Sequence, residues 1–119
     1  MGQGVRARVI GSDGMPVGAA FLVNDTIAGD QMRPSATAAA SRFLVAFQSG
    51  PSIRARVLSS AGDPSLNRER PPTLGDFEIA PAGAQPAAAV IGSGVDQAWW
   101  IAWEGAGEAT DIFARRYLL

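Results

Sequence analysis

Apolar and polar positions alternate from the start of the chain. Val5, Ala7 and Val9 are separated by Arg6 and Arg8, the period of two that sends successive side chains to opposite faces of a strand. Gly11-Ser12-Asp13-Gly14-Met15-Pro16 interrupts the alternation with residues that favour tight turns. A short strand is expected over 20–24 (Ala-Phe-Leu-Val-Asn), closed by a polar loop over 25–31. Residues 35–40 are small and suit strand or helix equally; the repeat described next decides for strand. Residues 43–48 (Phe-Leu-Val-Ala-Phe-Gln) are apolar at nearly every position, as expected of a strand covered on both faces.

The pattern then recurs. Val5-Arg6-Ala7-Arg8-Val9 returns 48 residues later as Ile53-Arg54-Ala55-Arg56-Val57, and Gly14 and Pro16 return at the same offset as Gly62 and Pro64. Phe21-Leu22-Val23 returns 56 residues later as Phe77-Glu78-Ile79, and Phe43-Leu44-Val45-Ala46-Phe47 returns at 56 as Trp99-Trp100-Ile101-Ala102-Trp103. An inserted segment over 66–73 accounts for the change of offset. Gln31 and Pro34 have looser counterparts in Gln85 and Pro86, and Ile112-Phe113-Ala114-Arg115-Arg116 is a third, more distant copy of the first strand.

One ordered duplication with a period near 50 residues implies a repeat architecture, in which each unit buries its apolar face only against its neighbours. We therefore expect a single all-β domain over 1–119, with repeat 1 at about 5–52, repeat 2 at about 53–111 and a partial third strand over 112–119. Two sets of four strands plus one extra Arg-Ala-Arg strand at the amino end suit antiparallel four-stranded blades of β-propeller type. Two blades do not close a ring, so the repeat is expected either to assemble from several copies or to belong to a longer array. A β-sandwich is the alternative, since it shows similar short strands and turn spacing.

Composition narrows the function classes. Of 119 residues 47% are hydrophobic and 18% charged, ordinary for a folded domain. Ten basic and eleven acidic residues give a net charge of −1, which offers no footprint for nucleic acid. No apolar run approaches the roughly 18 residues of a membrane-spanning helix. All ten cations are arginines, suited to bidentate contacts with carboxylates. Without Cys or His the chain has no thiolate or imidazole for metal or triad chemistry. The first residues, Met-Gly-Gln-Gly, lack the basic start of a secretory signal. The expectation is either an intracellular chain or a piece of a longer protein that is extracellular or in the cell envelope.

The motif order adds a resemblance. Asp13, Gly14, Pro16, Val17 and Gly18, then Phe21, Val23 and Asn24, then Gly29, Asp30, Gln31 and Pro34, then Phe43, Val45, Phe47, Gln48, Ser49 and Gly50 resemble a repeat of large bacterial surface and secreted proteins, of the haemolysin-type, RTX-associated kind. The second unit departs from it, with Ala80 in place of the Asn, Ala84 of the Asp and Glu104 of the Gln. The resemblance implies propeller-like blades and a non-catalytic module, and it carries over no catalytic residue.

Candidate chemistry is sparse. Asp13, Asn24, Asp25 and Asp30 form the most oxygen-rich set, a candidate calcium site, although no twelve-residue calcium loop is present and turn capping explains the same residues. No other cofactor is expected. Trp100, with Glu104 and the inserted Arg68, Glu69 and Arg70, is the candidate ligand-binding set. Exposed indoles stack on sugars, but Trp99 and Trp103 align with Phe43 and Phe47 and Trp100 with Leu44 on the other face of the strand, so all three are expected to pack between blades. The recurring arginine pairs Arg6/Arg8, Arg54/Arg56 and Arg115/Arg116 are expected to meet carboxylates on neighbouring strands. Glu104 with Glu108 or Asp111 is the one pairing that would suit a carboxylate-dependent hydrolase. The expected function is a non-enzymatic scaffold binding a protein or surface polymer, with other copies or blades of the repeat as partners. A lectin-like oligomer binding glycans is the rival.

Overall fold

The computed structural model describes residues 3–25, 29–39, 41–63, 75–93, 97–105 and 111–118, and among these the alternation folds into nine antiparallel strands. In order they are β1 (Arg6–Ala7), β2 (Phe21–Leu22), β3 (Gln31–Ala39), β4 (Arg42–Ser49), β5 (Ser52–Ser59), β6 (Phe77–Ala80), β7 (Ala84–Ile91), β8 (Ala98–Glu104) and β9 (Ile112–Leu118). No helix occurs among the described residues. The strands form three sheets, β1-β2, β3-β4-β5-β6 and β7-β8-β9, each in chain order. Two-residue connections join β3 to β4 and β4 to β5. β4 and β5 are joined by Gly50-Pro51, with Gly50 at φ 56, the positive angle that a tight hairpin asks of glycine at its first central position.

Strand pairing sets residues of the similar segments opposite similar partners. Arg6 and Ala7 face Leu22 and Phe21, and their counterparts Arg54 and Ala55 face Glu78 and Phe77. Phe43 faces Ala38 and Leu58, and Trp99 faces Val90 and Tyr117. The hairpins that open the two larger sheets, β3-β4 and β7-β8, carry the same irregularity, between Met32 and Ser35 and between Ala84 and Ala87. Each irregularity holds a residue at positive φ, Arg33 (54) or Gln85 (52), immediately before a proline. The missing proline N–H interrupts the ladder at the same point in both units. This register corrects one alignment drawn from sequence. Pro34 does correspond to Pro86, but Gln85 takes the place of Arg33, and Gln31 corresponds to Gly83. The main chain agrees, with Gln31 N donating to Gln3 O and Gly83 N to Pro51 O.

The four-stranded sheet is the middle layer. One face (Val45, Phe47, Leu58 and the half-buried Phe43) packs on Val5, Ala7, Phe21 and Val23 around β1-β2. The other (Leu44, Ala46, Ile53, Ala55 and Val57) packs on Trp99, Ile101, Tyr117, Ala88 and Val90 of the third sheet. Cover on both sides is the reason β4 is apolar without alternation, its four residues 44–47 all buried. Among the described residues the layers do not close into a ring, and three stacked sheets suit a sandwich-like arrangement as well as a blade array.

Candidate functional site

The arginines of the repeated strand tie one sheet to the next. Arg54 Nε donates to Asp76 Oδ1 at 2.7 Å and Arg56 Nη1 lies 3.0 Å from Asp25 Oδ1. The two carboxylates are joined through the backbone, Asp25 N donating to Asp76 Oδ2 at 2.6 Å and Asp76 N to Asp25 Oδ2 at 3.0 Å. The Asp76 side chain is 2% exposed, and a carboxylate so removed from water needs its cation and its N–H donor to offset the loss of hydration. Arg56 Nη1 also donates to Val23 O, crossing from the middle sheet to the first at 2.8 Å. The same contact recurs one sheet later, where Arg115 Nη1 donates to Ile79 O at 3.4 Å. The third member of this set, Arg8, donates instead to Gly18 O in its own loop at 3.0 Å. Arg54 and Arg56 do meet carboxylates, but Asp76 and Asp25 lie beside strands rather than on the neighbouring strands expected, and for Arg115 the acceptor is a carbonyl. Sequence reading missed Asp76, whose only signal is its place just before the Phe77 strand.

The oxygen-rich residues are engaged in local structure. Asp13 Oδ1 accepts from Met15 N inside its turn, and Asp30 Oδ1 accepts from Gln3 N. Asn24 is buried, accepting from Val5 N at 2.8 Å and donating to Gln31 Oε1 at 3.2 Å; Gln31 in turn donates to Ser49 Oγ at 3.3 Å. Among the described residues no three acidic side chains gather as a metal-binding group. In the second unit the Asn24, Gln31 and Ser49 positions become Ala80, Gly83 and Gly105, and aromatic rings take the space. A Cβ on Gly83 would lie 2.6 Å from Trp103 Cδ1, and one on Gly105 would lie 2.5 Å from Phe113 Cε2. Trp103 and Phe113 stack at 6.2 Å.

The three tryptophans divide between two faces. Trp99 is buried, with the Arg42 guanidinium 5.1 Å above its ring, and Trp103 packs against the same core. Trp100 points the other way and is half-buried. Around it on the outer face of the third sheet lie Ala87, Ala89, Ala102, Ile112 and Ala114, with Arg116 directly opposite. Glu104 is on this face too, its Oε2 accepting from Gln85 Nε2 at 2.8 Å. Arg68, Glu69, Arg70 and Glu108 lie outside the described residues.

This outer face has a counterpart inside the molecule. By register Trp100, Ala102, Ile112 and Ala114 match Leu44, Ala46, Ile53 and Ala55, all four of which are 0% exposed beneath the third sheet. Ile112, by contrast, is 68% exposed. At the opposite end the two-stranded sheet covers only part of the middle layer. The shortfall leaves a cleft of about 330 Å³ walled by Val9, Phe21, Ala36, Phe43, Val45 and Leu58. Compared with protein-family models, curated proteins and solved structures, the chain matches none. The resemblance to haemolysin-type repeats therefore rests on the motif residues alone. Among the described residues no helix is long and apolar enough to cross a membrane.

Proposed function

We propose that the chain is a non-catalytic, β-propeller-type repeat module that serves as a scaffold for binding a protein or surface polymer, within or assembling into a larger array. One observation carries this reading: at Trp100, Ala102, Ile112 and Ala114 the outer face of the third sheet repeats a surface that the middle sheet buries under its neighbour, with Arg116 standing where the middle sheet has Val57. A face of that kind is made to be covered. In a longer secreted bacterial protein, such a module would work outside the cell or at its envelope. Joining two copies of the chain in one polypeptide tests the array. In a linear repeat each new junction adds a nearest-neighbour term, so the fusion is expected to melt above the single chain, with Trp100 emission shifted to the blue. Equal melting temperatures and an unchanged spectrum would count against it.

A second reading, glycan binding, is favoured by the half-exposed Trp100 on a flat, alanine-lined face with Arg116 beside it. Indole stacking with a guanidinium donor at the rim suits a sugar ring. A glycan array probed with the wild type and with Trp100→Ala separates the two, since lectin activity requires a signal that the variant loses.

A further inference from the structure

The strand inventory does not come out even. Nine strands among the described residues are one more than two four-stranded sheets would use, and the surplus is the Arg-Ala-Arg type, present as β1, β5 and β9. Two of the three have a Phe strand on one side, β2 beside β1 and β6 beside β5. Among the described residues β9 pairs only with β8, so its outer edge is open. β1 has the converse gap, since only β2 pairs with it, whereas β5 lies between β4 and β6. One end of the molecule lacks what the other end holds.

We propose that copies of this chain join head to tail by strand exchange, β9 of one copy taking the place of β1 beside β2 of a second copy. The proposal rests on the array reading above and names the occupant of its open face. The exchange completes the sheet β7-β8-β9 with a fourth strand, leaving two full sheets per copy. Its register follows from the internal precedents: Ala114 opposite the second copy's Phe21, and Phe113 opposite the second copy's Leu22. In the slot that β1 now fills, Val5 is 4% exposed and its N–H donates to Asn24 Oδ1; Ile112, its counterpart, would be buried there instead. The same movement lays Trp100 and Ala102 over the cleft walled by Ala36, Phe43, Val45 and Leu58, as Leu44 and Ala46 already lie against the third sheet. An exposed apolar face, an open strand edge and an apolar cleft are thus accounted for by one contact. It is a heterologous one, which closes a ring or runs on as a filament, and exchange of an identical element is a low-cost route to it because the bonds gained copy the bonds given up.

Paired cysteines in the full chain, which has none of its own, test the exchange. Opposed residues on adjacent antiparallel strands approach closely enough for a disulfide. Arg6→Cys with Leu22→Cys locks β1 in place and is expected to hold the oxidised protein monomeric, with assembly restored by reductant. Leu22→Cys with Phe113→Cys is expected to give a ladder of covalent multimers on oxidation, read by denaturing gel and by mass in solution. Wild-type protein that stays monomeric across concentration overturns the exchange while leaving the array reading intact, because further units of a longer chain would then fill the edge. Assembly that persists in the β1-locked protein, or that fails to cross-link through Leu22 and Phe113, overturns it equally.

Discussion

Replacing Asn24 by Ala is expected to cost far more than its two missing polar atoms suggest. The side chain is 3% exposed and its partners include Val5 N at 2.8 Å and Gln31 Oε1 at 3.2 Å, while Gln31 and Ser49 behind it are 2% and 7% exposed. Water has no easy route to either group, so each lost bond carries a desolvation penalty of about 1–3 kcal/mol. Partial compensation within the polar set brings the expected total to about 2–4 kcal/mol. With a urea m-value of about 2 kcal/mol per molar for a domain of this size, the unfolding midpoint falls by roughly 1–2 M. The molecule contains its own control: Ala80 occupies the equivalent place in the second unit, where Gly83 and Gly105 remove the partners and Trp103 and Phe113 fill the space. Ala80→Asn is therefore also expected to destabilise, by burying an amide that lacks the Gln31 and Ser49 equivalents. Urea unfolding followed by tryptophan fluorescence measures both. A loss below about 0.5 kcal/mol for Asn24→Ala, the size of an ordinary surface substitution, would refute the reasoning.

Four further outcomes are expected. Asp76→Ala strands the Arg54 guanidinium in a half-covered site and costs about 3 kcal/mol, whereas Arg54→Met combined with Asp76→Leu recovers most of that loss; equal losses in single and double variants would show that the ion pair is not the cause. Gly83→Ala pushes a methyl to 2.6 Å from Trp103 Cδ1 and 3.1 Å from the Glu104 carbonyl, so a loss of about 1–3 kcal/mol is expected together with a shifted tryptophan spectrum. Gly14→Ala, where φ is +81 and nothing lies within 4 Å, is expected to lose about 1 kcal/mol through the backbone alone and to leave the spectrum unchanged. Finally, calcium is expected to leave the melting temperature unaltered, because the oxygens of Asp13, Asn24, Asp25 and Asp30 already accept N–H or guanidinium donors; a rise that grows with calcium concentration would restore the site.

How much of this was legible follows from which interactions are local. Period-two alternation marks strands whose faces differ, and the copied segments carry their own pairing, so the offsets of 48 and 56 reappear as ladder registers. The candidate sites were less legible. Trp99, Trp100 and Trp103 are near-identical in sequence, and only alternation about one strand separates the inward pair from the outward Trp100. Asp76 shows nothing beyond a single acidic residue until the fold brings Arg54 within 2.7 Å of it.

By itself the sequence determined that the chain is built from strands and that similar segments return in the same order, because strand periodicity and turn chemistry depend on near neighbours. Only the tertiary structure decided which sheet is central, which apolar face stays uncovered, and that Gln85 stands in for Arg33 rather than Gln31. Those outcomes depend on how sheets stack and where a proline interrupts a ladder, and residues far apart in the chain set both.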